Sequence, residues 1–253
     1  DTRRGELVTL HRAMGDAVTA ELLRSNPVAG VKRPKVRRPE LKTWTGPELA
    51  TFLAATRDDR LGPLWHLLAM SGLRRGEALG LQWGDVDLEA GRLSIQRQRV
   101  QAGYAVEERQ TKTGRGRPVS IDAGTVAILR QQSDRQLEDA ARWGETWTAT
   151  GHVFTREDGR PWHPDRVRVL FGEALEGVDV PRIRMHDLRH TWATLALRAG
   201  VHPKVVQERL GHANISITMD IYSHVLPDLQ ESAAELVAAQ VALSGDAQAG
   251  STK

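Results

Sequence analysis

Between Ser25 and Glu40 the chain reads SNPVAGVKRPKVRRPE, and this run dictates where regular structure can form. Its three prolines lack backbone donors, so the segment cannot continue a helix or sit in a central strand. It reads as a linker over 25–40, dividing the 253 residues into a short N-terminal piece and one large domain with ample length for a core. Before it, Leu7, Leu10, Met14 and Val18 recur at three- and four-residue intervals, which predicts a helix over 5–24. After it comes a capping box, Thr45 with Glu48 three residues on, followed by Leu49, Phe52 and Leu53. A second domain therefore starts near residue 41. The chain opens on Asp1 with its first helix almost under way, so a piece of something longer is expected.

Within the large domain, 61–71 and 75–82 read as helices separated by Gly72. Short alternating runs follow at Val86-Asp87-Leu88, Arg92 to Gln96 and Val119 to Ile121, with turn signals at Glu89-Ala90-Gly91 and Thr113-Gly114, giving a small antiparallel sheet. Asp122 is placed to cap a helix over 123–141. Further helices are expected at 164–176, 185–199 and 203–210, with Gly200 and Gly211 as C-terminal caps. A short helix carries Tyr222, Pro227 starts a last helix to about residue 243, and the tail beyond it is polar and expected to be disordered. The fold class is α+β, a mainly α-helical domain with a small antiparallel β-sheet.

Mean hydropathy of −0.42 fits a soluble globular protein, and no stretch has the apolar length of a membrane span or a signal-peptide pattern. The absence of cysteine excludes disulfides and thiolate zinc sites and fits a reducing, intracellular setting. Net charge is only +3, but the cations cluster. From Val31 to Lys42 there are six (Lys32, Arg33, Lys35, Arg37, Arg38, Lys42) against Glu40 alone. Between Arg109 and Ile121 there are four and no acid, among them Lys112, Arg115 and Arg117. Such clusters suit a polyanion, because each neutralised phosphate releases counterions, although a solvated basic face has the same composition.

Several residues could carry chemistry. Arg74, just after Gly72 at an expected helix start, can join free backbone N–H groups in holding an anion, with Glu77 three residues on to fix its rotamer; a surface ion pair reads the same. A lysine among cations, as Lys112 is, has its pKa lowered and suits a general acid, though a plain exposed turn also fits. His186 and Arg189 are three apart on one expected helix and project from one face, offering a donor and a guanidinium to one phosphate. The same stretch, HDLRH, imitates a zinc-binding H-E-x-x-H helix. Arg189 would put a cation beside the metal, Asp187 is shorter than the usual glutamate, and no third ligand is evident. His212 lies just past a helix end, where a cap is the plainer role. Tyr222, one of only two tyrosines, sits ten residues past His212 and is either a half-buried aromatic or a nucleophile. No single element decides the matter; their joint occurrence in this order does.

In the blocks SGLRRGEALGLQWGDVD and HDLRHTWATLALRAG…ERLGHANISITMDIYSHV the chain resembles the tyrosine recombinases, or phage integrase family, over about residues 41–230. The resemblance makes Arg74 and Arg189 the catalytic arginines, Glu77 the acid after the first, and Lys112 the β-hairpin lysine. It makes His186 the first residue of the H-x-x-R pair, His212 the later His/Trp position and Tyr222 the nucleophile. The helix 5–24 then resembles the end of a core-binding domain, leaving 1–24 as its remnant, 25–40 as a basic linker, 41–226 as the catalytic domain and 227–253 as a C-terminal helix and tail.

What the resemblance implies is site-specific recombination through a 3′-phosphotyrosyl link, with no metal, ATP or other cofactor. Lys32, Arg33, Lys35, Arg37, Arg38, Arg115 and Arg117 would bind DNA. The implied partners are double-stranded DNA attachment sites, a homotetramer formed on them, and DNA-bending or directionality factors, with no membrane involved. The implied setting is the cytoplasm of a bacterium, acting on nucleoid DNA. A type IB topoisomerase shares the chemistry, but the LGHANISIT block favours the recombinase; a regulator that keeps the fold without catalysis is disfavoured by the intact set of candidate positions.

Overall fold

In the computed structural model, residues 2–32, 42–103, 105–110 and 116–223 are described. Two compact units, Asp1–Leu41 and Lys42–Lys253, divide the chain. In the first, helix α1 (Thr2–Thr19) ends earlier than the expected residue 24, because Glu21 takes a positive φ of 59° and Leu22 and Leu23 turn back to the carbonyl of Ala17. The Asn26 side chain donates to the His11 carbonyl at 2.9 Å, closing that turn on the helix.

The second unit is organised around a helix that is apolar on nearly every side. Thr45 and Glu48 cap α2 (Gly46–Ala55) reciprocally, as the sequence predicts: the Thr45 N–H donates to the Glu48 carboxylate at 2.7 Å, and the Glu48 N–H to the Thr45 hydroxyl at 3.4 Å. Next, α3 (Gly62–Ser71) buries Leu64, Trp65, Leu67, Leu68 and Ala69 and packs against neighbours on several faces, as an all-round apolar helix must. It stops at Gly72, whose φ of 69° only glycine adopts cheaply, and a Cβ there would meet Leu210 Cδ2 at 2.6 Å. The short α4 (Arg75–Leu79) follows, ending before the expected residue 82 at Gly80.

Among the described residues the strands that come next are β1 (Val86–Asp87), β2 (Arg92–Ile95), β3 (Arg97–Ala102), β4 (Ala105–Gln110) and β5 (Arg117–Ser120). They form two antiparallel sheets, β1–β2–β5 and the hairpin β3–β4, where the sequence suggests one sheet without the 97–110 hairpin. In the hairpin Glu108 bonds Arg99 at 2.8 Å and the buried His152 at 2.7 Å, fastening β4 to the loop before the next helices.

Asp122 accepts from Thr125 N–H and opens α5 (Ala123–Trp143); α6 (Pro164–Ala174), α7 (Asp187–Arg198) and α8 (Pro203–Leu210) follow, and residues 215–223 are helical. An aromatic chain runs through the core, Trp44–Phe52–Phe171–Trp65, at centroid separations of 5.0, 5.5 and 5.4 Å. Trp44 also donates from its indole to the Pro181 carbonyl at 2.7 Å, and α3 packs on α7, so the residues on either side of Gly72 and those around Arg189 are held against one core. No described helix is long and apolar enough to cross a membrane.

Candidate active site

Arg189 is almost wholly buried, 3% exposed, on the inner face of α7. Its Nη1 donates to the carbonyl of Gly72 at 2.8 Å and its Nη2 to the carbonyl of Leu210. Arg74, the residue before α4, donates from Nη2 to the carbonyl of Gly211 at 3.0 Å and from Nη1 to Glu77 Oε1 at 2.8 Å. Arg117, on β5, donates from Nε to the carbonyl of Arg209 at 2.9 Å and from both terminal nitrogens to the two Glu77 oxygens at 2.8 Å. Three successive carbonyls at the C-terminal end of α8 therefore each hold one guanidinium. Helix C-termini leave such carbonyls unpaired and carry partial negative charge, so this is where cations gather at least cost.

Glu77 is the counterweight. It is 4% exposed and accepts four bonds, two from Arg117 and two from Arg74, the second of these from the Arg74 backbone N–H at 2.9 Å. Burial would raise its pKa, but hydrogen bonds and charge from Arg117, then Arg74, bring it down to about 2. Three cations against one carboxylate leave the cluster net positive. Burial and the Arg74 and Arg117 charges lower Arg189 to about 9 despite Glu77, which leaves it charged at neutral pH in surroundings that favour an added anion.

The histidines feel the same field. His212 follows Gly211, the left-handed cap of α8, and is lowered to about 4 by burial, then by Arg189 and Arg74. His186 stands at the start of α7 and is lowered to about 4 by desolvation, then by His190 and Arg189. Both are therefore neutral at pH 7. The His186 and His190 rings meet edge to face at 5.0 Å, while both oxygens of Asp187 are engaged by Arg184. Among the described residues no group of three or more metal-ligating side chains is assembled.

The 215–223 helix is tied to this cluster through Thr218, fully buried, whose hydroxyl lies 2.9 Å from His212 Nδ1. Tyr222 follows Thr218 by one helical turn, on the same face, and is half-buried. Beside the cluster lies a cleft of about 740 Å³ with Arg74 and His186 on its wall; among the described residues six arginines line it and no acid does.

Arg74, Glu77 and Arg189 thus come together, with His212 and His186 in their field. Arg117, grouped in the sequence with DNA-binding cations, has its guanidinium engaged by Glu77 and the Arg209 carbonyl and is 19% exposed at its side chain. Lys32 is exposed, whereas Lys112, Arg115, Arg33, Lys35, Arg37, Arg38 and the helix expected from Pro227 lie outside the described residues.

Residues 47–228 match the model of the phage integrase family. A tyrosine recombinase XerC-like protein of Caldanaerobacter subterraneus subsp. tengcongensis is 33% identical over 238 residues, covering 87% of this chain and 61% of the relative. The ICEBs1 integrase of Bacillus subtilis is 28% identical over 233 residues, covering 90% and 63%. The chain therefore spans less than two thirds of the length of these relatives. Among solved structures, the Tn1549 transposon integrase in complex with transposon right end DNA shares the fold with a TM-score of 0.76 at 21% identity, covering 94% of this chain and 79% of that one. XerA recombinase does so with a TM-score of 0.62 at 21% identity, covering 85% and 71%. The chain belongs to the phage integrase family.

Proposed function

We propose that this chain carries the catalytic part of a site-specific DNA recombinase that cuts and rejoins strands through a 3′-phosphotyrosyl intermediate. The observation that supports it best is the cationic corner: Arg74, Arg117 and Arg189 fixed on Glu77 and the end of α8, with His212 bonded to the helix of Tyr222.

In this reading the Tyr222 hydroxyl attacks the scissile phosphorus, an O–P bond forms, and the bond from phosphorus to the 5′-oxygen breaks. Arg74, Arg189 and His212 stabilise charge on the nonbridging oxygens, where fixed donors act without reorganising. Neutral His186 accepts or orients the phenol proton, and Lys112 protonates the departing 5′-oxygen. Rejoining is the reverse, with the 5′-hydroxyl attacking the phosphotyrosine. Because the covalent link conserves the phosphodiester bond, neither a nucleotide nor a metal is required.

The substrate is duplex DNA carrying attachment sites, bound by a homotetramer with accessory bending or directionality factors in the bacterial cytoplasm. The cations from Val31 to Lys42 and the arginine-lined cleft support a DNA partner. We assign residues 1–24 to the end of a core-binding domain, 25–40 to the linker, 41–226 to catalysis and 227–253 to a C-terminal helix and tail.

The test is a nicked suicide duplex carrying the natural site, incubated in chelator. Wild type forms a covalent protein–DNA adduct and Tyr222→Phe binds without forming one. An adduct retained in Tyr222→Phe, or one that requires a divalent metal, refutes the assignment.

A further inference from the structure

We infer that Arg117 is a positioning residue for strand cleavage: its fork on Glu77 and its bond to the Arg209 carbonyl aim Arg74 and Arg189 at the scissile phosphate. This rests on the strand-cleavage reading above, and it gives Arg117 a role other than contact with DNA.

The hydrogen bonds carry the argument. Arg117 donates three times, to both Glu77 oxygens and to the carbonyl of Arg209. A fork-to-fork pair of this kind fixes both partners in angle as well as distance, which a lysine's point charge cannot do. With Arg117 present, Glu77 Oε1 is shared between two guanidiniums, so Arg74 contributes only one side-chain nitrogen to it. The other terminal nitrogen of Arg74 reaches Gly211, and its side chain stays 39% exposed with donors to spare for an anion. Without Arg117, a nearly buried carboxylate keeps one hydrogen-bonded cation, Arg74. It then either draws Arg74 into a full fork, removing donors from the phosphate, or takes up a proton and releases Arg74's anchor. Either outcome disarms the first arginine.

The second lever is α8. The Arg209 carbonyl bound by Arg117 is adjacent in sequence to the Leu210 carbonyl that holds Arg189, and one further from the Gly211 carbonyl that holds Arg74. Pinning the first of the three sets the other two. A Cβ at Gly211 would lie 3.3 Å from three atoms of the Arg117 guanidinium, so the helix end is seated directly on this side chain.

The experiment measures adduct formation on the suicide duplex, together with DNA affinity, for Arg117→Met, Arg117→Lys and Arg117→Met/Glu77→Gln. Arg117→Met is expected to cleave roughly tenfold to a hundredfold more slowly, the scale for misplacing a catalytic group by about an ångström, with affinity changed less than threefold. Arg117→Lys recovers part of the rate. The pH profile separates positioning from general loosening. The charged groups facing Glu77 are Arg74 on its own turn, Arg117 from β5 and Arg189 from α7, with His212 and His186 titrating nearby.

Removing Arg117 takes away the strongest force holding Glu77 ionised while burial still pushes its pKa up. Arg117→Met therefore loses rate on the acid side beyond the loss that His186 and His212 already impose on wild type, and Glu77→Gln in the double variant abolishes that added loss. Wild-type rates in Arg117→Met, affinity falling in step with rate, or an unchanged profile shape each overturn the inference while wild type still forms its Tyr222 adduct. Absence of that adduct in wild type overturns the functional reading and the inference together.

Discussion

Replacing Glu77 by glutamine tests whether the cationic corner is held together by one buried carboxylate. On folding the Glu77 pKa falls from 4.5 to about 2. At 1.36 kcal/mol for each pKa step, that shift corresponds to about 3 kcal/mol of stability at neutral pH. The figure agrees with the 3–5 kcal/mol typical of removing one member of a buried ion pair. Because the folded-state pKa is the lower one, this stabilisation is complete above pH 4.5 and is lost as pH falls through the folded value. Integrating between the two pKa values, about 1.4 kcal/mol of it has gone by pH 3.5. Glu77→Gln cannot titrate, so its deficit relative to wild type should be about 3 kcal/mol at pH 7 and narrow by about 1.4 kcal/mol at pH 3.5. His186 and His212 titrate in both proteins and largely cancel from the difference. Urea unfolding followed by circular dichroism at the two pH values reads both numbers. A deficit below about 1 kcal/mol at pH 7, the level of a surface pair, or one that is equal at the two pH values, refutes the argument.

Arg189→Lys should lower the cleavage rate on the order of 10²-fold while sparing DNA binding, since an ammonium cannot span the Gly72 and Leu210 carbonyls and still face a phosphate; adduct kinetics and a binding isotherm check it. Gly72→Ala combines a positive φ with a Cβ 2.6 Å from Leu210 Cδ2, and should cost about 1–3 kcal/mol in thermal or urea unfolding. Thr218→Val keeps the shape of the buried threonine but leaves His212 Nδ1 without its partner; about a tenfold loss of cleavage with little change in unfolding midpoint is expected.

The elements that the sequence places well are those whose signals are local. The Thr45–Glu48 box, the Asp122 cap and the bounds of α8 at Pro203 and Gly211 each rest on residues within a turn or two of one another. Hairpin β3–β4 is missed because both its strands are polar in sequence, RQRVQA and AVEERQ, the first half-buried and the second largely exposed, so no alternation of apolar and polar residues marks them. The Arg74–Glu77 pair is legible from its three-residue spacing. Arg117 is not, because its partner lies 40 positions away and its neighbours in sequence are other cations. The one available hint is that Glu77 is a lone acid expected among several arginines. The carbonyls of Arg209, Leu210 and Gly211 could not be found at all from side-chain identities, since every residue has one.

That last point bears on how such a corner tolerates change. Main-chain oxygens cannot be mutated away, so the outward side chains of α8 are free to drift without emptying the seats of the three guanidiniums. What the arrangement cannot absorb is a change of phase. Deleting a single residue within α8 turns its end by about 100°, swinging all three acceptors off target at once. Sequence divergence in this helix should therefore proceed by substitution at constant length.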